Sequence, residues 1–151
     1  MDITITIILG SISIFAAIIA AYYAREALLA SKSPKVVLEA PFNSSLEIRN
    51  IGTDLARNIK ETTDLLRNIP KELWNHSGQF DYLRIKNPGL SKTLSFQEGK
   101  TPPPSTKPLY RFEYENSEGD KFYSEILVDR GPEVQQIYIR SAELLKWGRH
   151  T

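Results

Sequence analysis

Cysteine is absent from this 151-residue chain, which excludes both a disulfide framework and a thiolate metal site. Histidine is nearly absent. His76 and His150 are too few for the three ligands of a catalytic zinc, and each reads as a solvated side chain. An excess of one charge is missing too. With 19 basic residues against 18 acidic ones the net charge is +1, too little to neutralise a phosphate backbone, so nucleic acid is not an expected partner. The chain also has no phosphate-cradling glycine loop, no G-x-S-x-G elbow and no H-E-x-x-H. Glu47, Glu113 and Glu115 alternate with apolar residues and read as solvent-facing. The expectation is a non-enzymatic protein without catalytic, cofactor-binding or metal-ligating residues.

Charge is missing altogether from residues 3–24, ITITIILGSISIFAAIIAAYYA. About 20 apolar residues span a hydrocarbon core, so this run predicts a single transmembrane helix. A signal peptide would begin with basic residues and carry a shorter apolar stretch. Tyr22, Tyr23 and Arg25 end the run as interfacial anchors. Helix-forming sequence continues to Lys32 and stops before Pro34. A helix of that length measures about 45 Å against a core of about 30 Å, which leaves its last two turns as a stalk. Arg25, Lys32 and Lys35 flank one end only, predicting an external N-terminus and a cytoplasmic domain at the cell membrane. Gly10, Ser13, Ala17, Ala20, Ala24 and Ala27 recur at steps of three and four, between Thr6 and Ser31. Small residues at this spacing let helix backbones approach in lipid, so a homo-oligomer or a partner membrane protein is expected there, besides the bilayer itself.

From residue 34 to residue 151 the period changes to two. Residues 35–39 and 46–49 read as strands, followed by a break at Gly52, which can take φ > 0. Residues 59–66 read as extended on a poor pattern, and residues 81–86 and the stretch around Leu94 and Phe96 as further strands. Tyr110, Phe112 and Tyr114 share one face, Arg111, Glu113 and Glu115 the other. After a turn at Gly119, Phe122, Ser124, Ile126 and Val128 continue the apolar face, which makes a hairpin. Residues 136–139 read as the last strand. Residues 141–149 read as a weakly amphipathic closing turn packed on the domain, the other reading being a contact of Leu144, Leu145 and Trp147 with lipid. About seven short strands predict a mainly β domain over 34–151, an immunoglobulin-like β-sandwich, with a small barrel as the other topology. The KTPPPSTKP stretch at 100–108 lacks prolines three apart and reads as a stiff surface loop rather than an SH3-type ligand.

The string Asn50-Ile51-Gly52-Thr53-Asp54-Leu55-Ala56-Arg57-Asn58-Ile59 resembles the N-x-G-x-x-x-A-x-N-[IV] stretch of prokaryotic immunoglobulin-like modules of the CARDB type. The hairpin around Gly119 resembles one found in small single-pass prokaryotic membrane proteins. The resemblance implies a fold, with Gly52 in a turn and Ala56 at a tight packing site, and no catalytic residue. It implies an external domain, against the charge bias. Two functions follow from these readings: an anchored module that binds a partner or assembles with itself, and a ligand-gated membrane effector whose cytosolic domain binds a small molecule. A concave polar pocket favours the second and a convex apolar patch the first.

Overall fold

Helix α1 runs Ile3–Ser31 and ends just before Pro34, whose ring disfavours helix at Ser33. The computed structural model describes residues 3–75 and 91–150, with the side chains of 3–12 and 29–30 outside that description. The strand expected at 81–86 and His76 lie outside the described residues. The chain divides into two compact units, Met1–Lys32 and Ser33–Thr151. In the first, every residue from 13 to 28 is exposed. Among the described residues no helix is long and apolar enough to cross a membrane. The transmembrane expectation therefore rests on the sequence, because nearly half of the uncharged run has no described side chains.

The second unit is mainly β, with two antiparallel sheets. One sheet has the order β1 (Val36–Glu39), β2 (Leu46–Asn50), β6 (Ser91–Phe96), β4 (Leu66–Arg67). The other has the order β5 (Glu72–Leu73), β3 (Ala56–Glu61), β7 (Leu109–Glu115), β8 (Lys121–Arg130), β9 (Ile139–Arg149). Alternation produces the core. Val36 and Leu38, Leu46 and Ile48, Tyr110 and Phe112 and Tyr114, and Phe122, Ile126 and Val128 all bury the expected face in one cluster with Leu73, Leu94 and Ile139. Every described buried apolar side chain lies between Val36 and Ile139, so the β unit carries its own core.

Two segments differ from their sequence reading, for the same reason. The last strand begins at Ile139 rather than at residue 136. It continues to Arg149 through the stretch read as a closing turn or a lipid contact. Its register against β8 slips twice: Glu125 faces Lys146 while Ile126 faces Leu144, and Asp129 faces Ser141 while Arg130 faces Ile139. Leu145 and Arg140 are therefore extra residues. The slip at Leu145 puts Leu144 and Trp147, three apart, on one face and imitates a helical spacing. In β3 the register slips between Arg57 and Lys60, opposite Glu115 and Glu113. Asn58 takes a left-handed conformation (φ 52°), and the buried Ala56 and Ile59 again fall three apart. The residues read as one extended run, 59–66, are split by a turn with Asp64 at φ 54°.

Candidate functional site

Each residue of the 50–59 string has a physical task. The Asn50 side chain is fully buried and uses its whole hydrogen-bonding capacity. Its Oδ1 accepts from Lys35 N at 2.9 Å and Gly52 N at 3.0 Å, and its Nδ2 donates to Asp54 O at 2.6 Å and Leu73 O at 3.1 Å. Both sheets and the segment leading in from α1 are tied to one amide. Gly52 keeps a negative φ, contrary to the turn conformation its sequence suggested. Glycine is needed there because a Cβ would overlap Ser33 O and Lys35 N. Asp54 Oδ2 accepts from Ser117 N and Ser117 Oγ at 3.0 and 2.6 Å, joining this loop to the β7–β8 turn. Ala56 is buried, and Asn58 forms the bulge.

Beside that bulge lies a cleft of about 770 Å³, lined by Asn58, Lys60, Lys71, Glu113, Glu115 and His150 among others. Asn58 Nδ2 donates to Glu115 Oε2 at 2.8 Å. Glu113 lies 3.3 Å from Arg111 Nε and 3.7 Å from His150 Nε2. Arg111 also pairs with Glu125 at 2.9 Å and stands 4.7 Å from the centre of the Tyr123 ring. The imidazole of His150 packs on the same tyrosine at 5.3 Å, and the backbone N–H of His150 donates to Lys121 O at 2.8 Å. His150 thus belongs to an ordered outer face rather than to solvent alone, and Glu113 is half-buried in an ion-pair row. Lys60, Lys71 and Lys121 add cationic groups around the cleft. This surface offers charge and hydrogen-bond recognition. Among the described residues no group of three metal-ligating side chains comes together.

Another cleft, about 420 Å³, is walled by Leu65, Pro102, Pro103 and Pro108. The 100–108 stretch is a loop, as expected. It is held by Ser105 N to Gly131 O (3.0 Å), Arg130 N to Thr106 O (3.0 Å) and Thr106 Oγ1 to Pro103 O (2.6 Å). Asp64 sits at its edge, where the Lys100 ammonium and the Gln97 amide hold its carboxyl below the usual carboxylate range.

The residues picked from sequence for helix packing belong to the first unit. Ser13, Ala17, Ala20, Ala24 and Ala27 are exposed on α1, while the side chain of position 10 lies outside the described residues. Tyr22 and Tyr23 are exposed and meet edge to face at 5.8 Å, followed by exposed Arg25. The sequence reading missed the ring of Asn58, Lys60, Lys71 and Lys121. An asparagine in mid-strand, a residue tolerant of φ > 0, was the available signal for the bulge. Compared with protein-family models, curated proteins and solved structures, the chain matches none.

Proposed function

We propose that this chain is a non-enzymatic, membrane-anchored interaction module: an immunoglobulin-like β-sandwich carried on one transmembrane helix that self-associates. The observation that carries the reading is the exposure of every residue from 13 to 28, with Arg25 and Glu26 the only charges among them. Large apolar side chains left open to solvent need a cover. For a helix whose sequence is uncharged over 22 residues, lipid is the cover that fits. The strand order supports the immunoglobulin-like reading: the first two strands share a sheet with β6, while β3, β7 and β8 are neighbours in the other. Arg25, Lys32 and Lys35 favour a cytoplasmic domain.

A second reading, a ligand-responsive membrane effector, is favoured by one observation, the concave polar cleft at the β3 bulge. Both readings share the anchor, and alkaline carbonate tests it. Full-length protein should remain with the membranes, and its release into the supernatant would remove the anchor from both.

A further inference from the structure

We infer that the end of the sandwich where the chain comes in from α1 is itself a bilayer-docking surface, with Trp74, Ile51, Trp147 and Lys35 as its lipid-contacting groups. The inference rests on the membrane reading for its orientation, but not for its chemistry. The chain has only two tryptophans, and both are at this end. Trp147 Nε1 donates to Pro34 O at 2.9 Å, and the Lys35 ammonium stands 5.5 Å from the centre of its ring. Trp74 lies between Leu73, whose carbonyl accepts from Asn50, and Asn75, whose amide donates to Thr53 O at 3.3 Å. Asn50 and Thr53 in turn hold Lys35 and Ser33. Ile51 N donates to Lys35 O at 2.8 Å.

Despite these backbone ties the side chains remain open. Trp74 is 62% exposed, Ile51 43% and Trp147 39%. Trp147 stacks on the buried Phe122 at 6.4 Å and leaves its outer edge open, whereas Trp74 is open over most of its ring, and solvent is a poor environment for both. Tryptophan with a neighbouring lysine is the pairing that the headgroup boundary favours. The ring takes the acyl edge, the ammonium takes water and phosphate, and anionic lipid supplies the complementary charge. Chain length fits the placement. The 29 residues of α1 measure about 43 Å. A bilayer with its headgroup layers is about 40–45 Å thick. From Ser31 the three further residues to Pro34 reach about 10 Å. The end of the β unit that carries both tryptophans is therefore the end that the short 32–34 tether joins to α1.

The test uses residues 33–151 alone, the unit whose core is its own, so that α1 contributes nothing to binding. It is mixed with vesicles of phosphatidylcholine and phosphatidylglycerol in equal parts, and separately with phosphatidylcholine vesicles. Flotation with the mixed vesicles, a blue shift of tryptophan emission and protection from acrylamide are expected, weaker on phosphatidylcholine and weakened by salt. Trp74→Ala should reduce partitioning about tenfold, the size expected on withdrawing roughly 60 Å² of apolar ring from the acyl boundary. Its melting should be unchanged, because the ring is outside the core. Phe42→Ala, which removes another exposed ring, should bind as the parent does. No flotation with the mixed vesicles and no shift in emission would overturn the inference, and so would equal binding by the parent and Trp74→Ala. Either result would leave carbonate-resistant full-length protein, and hence the anchor, standing.

Discussion

Asn50 holds the backbone N–H of Lys35 through its side-chain oxygen at 2.9 Å, from a position with no exposure to solvent. The same amide serves Gly52, Asp54 and Leu73, so Asn50→Ala leaves buried backbone groups without partners on three segments at once. Its cost should be about 3 kcal/mol or more, since each stranded group costs ~1–3 kcal/mol. Urea unfolding of residues 33–151 measures it. Gly52→Ala should destabilise as well, by forcing Ser33 and Lys35 away, whereas Gly119→Ala meets open space and suffers only from its positive φ.

Phe112 and Arg111 separate the two faces of β7. Phe112 is wholly buried, and Phe112→Ala should lose about 3–5 kcal/mol. Arg111 bridges Glu113 and Glu125 over the Tyr123 ring with its side chain one-third exposed, so Arg111→Ala should cost about 1 kcal/mol or less after screening. Equal losses in denaturant titrations would mean that the strand has no distinct inner face.

Tyrosines 110 and 114 occupy the same core with opposite bonding. The Tyr110 hydroxyl is buried and has no hydrogen-bond partner among the described residues, while that of Tyr114 lies 2.7 Å from Ser124 Oγ and accepts from Val36 N at 3.2 Å. Tyr110→Phe should be neutral or stabilising. Tyr114→Phe should cost about 1–2 kcal/mol. Burial pushes both phenols above their ordinary value of 10.0, although the Ser124 bond pulls Tyr114 part of the way back. The folded state thus favours the neutral phenols. Their contribution is intact below a pH of about 10 and is lost as the pH rises through the higher folded values. The urea midpoint should fall above about pH 10, and Tyr110→Phe should flatten part of that fall.

Sequence periodicity placed the β7–β8 hairpin and its two faces correctly, because those strands pair without a register slip between Leu109 and Glu115. It failed at β3 and β9. There an extra residue, Asn58 or Leu145, converts an alternation of two into a spacing of three; the asparagine is a local hint of the first insertion, and nothing local marks the second. The clefts were less legible still. Lys60 and Glu113 lie far apart in the chain and are brought together by the pairing of β3 with β7, while Lys71 joins them through the bond from Ile59 N to its carbonyl. Asn50, Gly52 and Ala56 stood out as a string, but their tasks appear only once Lys35 and Leu73 are beside them.

The small-residue face of α1 gives a test of self-association. If backbones meet there, Ala17→Leu should reduce cross-linking and shrink the detergent-solubilised assembly, while Ile18→Leu, which conserves volume, should not. Equal assembly of the two variants would leave α1 an anchor without an oligomer. The melting of residues 33–151 is the control for both.

A single cysteine at Ser105, in a chain that has none, gives a test of sidedness. An impermeant maleimide should leave it unlabelled in whole cells and label it after lysis. Reaction in intact cells would put the domain outside, where the resemblance to CARDB-type modules implies it.

The fastening of residues 33–35 also has a mechanical side. Ser33 is bonded by Thr53 N and offers its own N–H to Thr53 Oγ1, Pro34 is held by the Trp147 indole, and Lys35 by Asn50 and Ile51. A pull arriving along the chain from α1 does not begin by peeling the four-residue β1 from its neighbour. It is divided at once between the loop after β2 and the far end of β9, one attachment in each sheet. The β unit should therefore take up tension as a block and yield in one step.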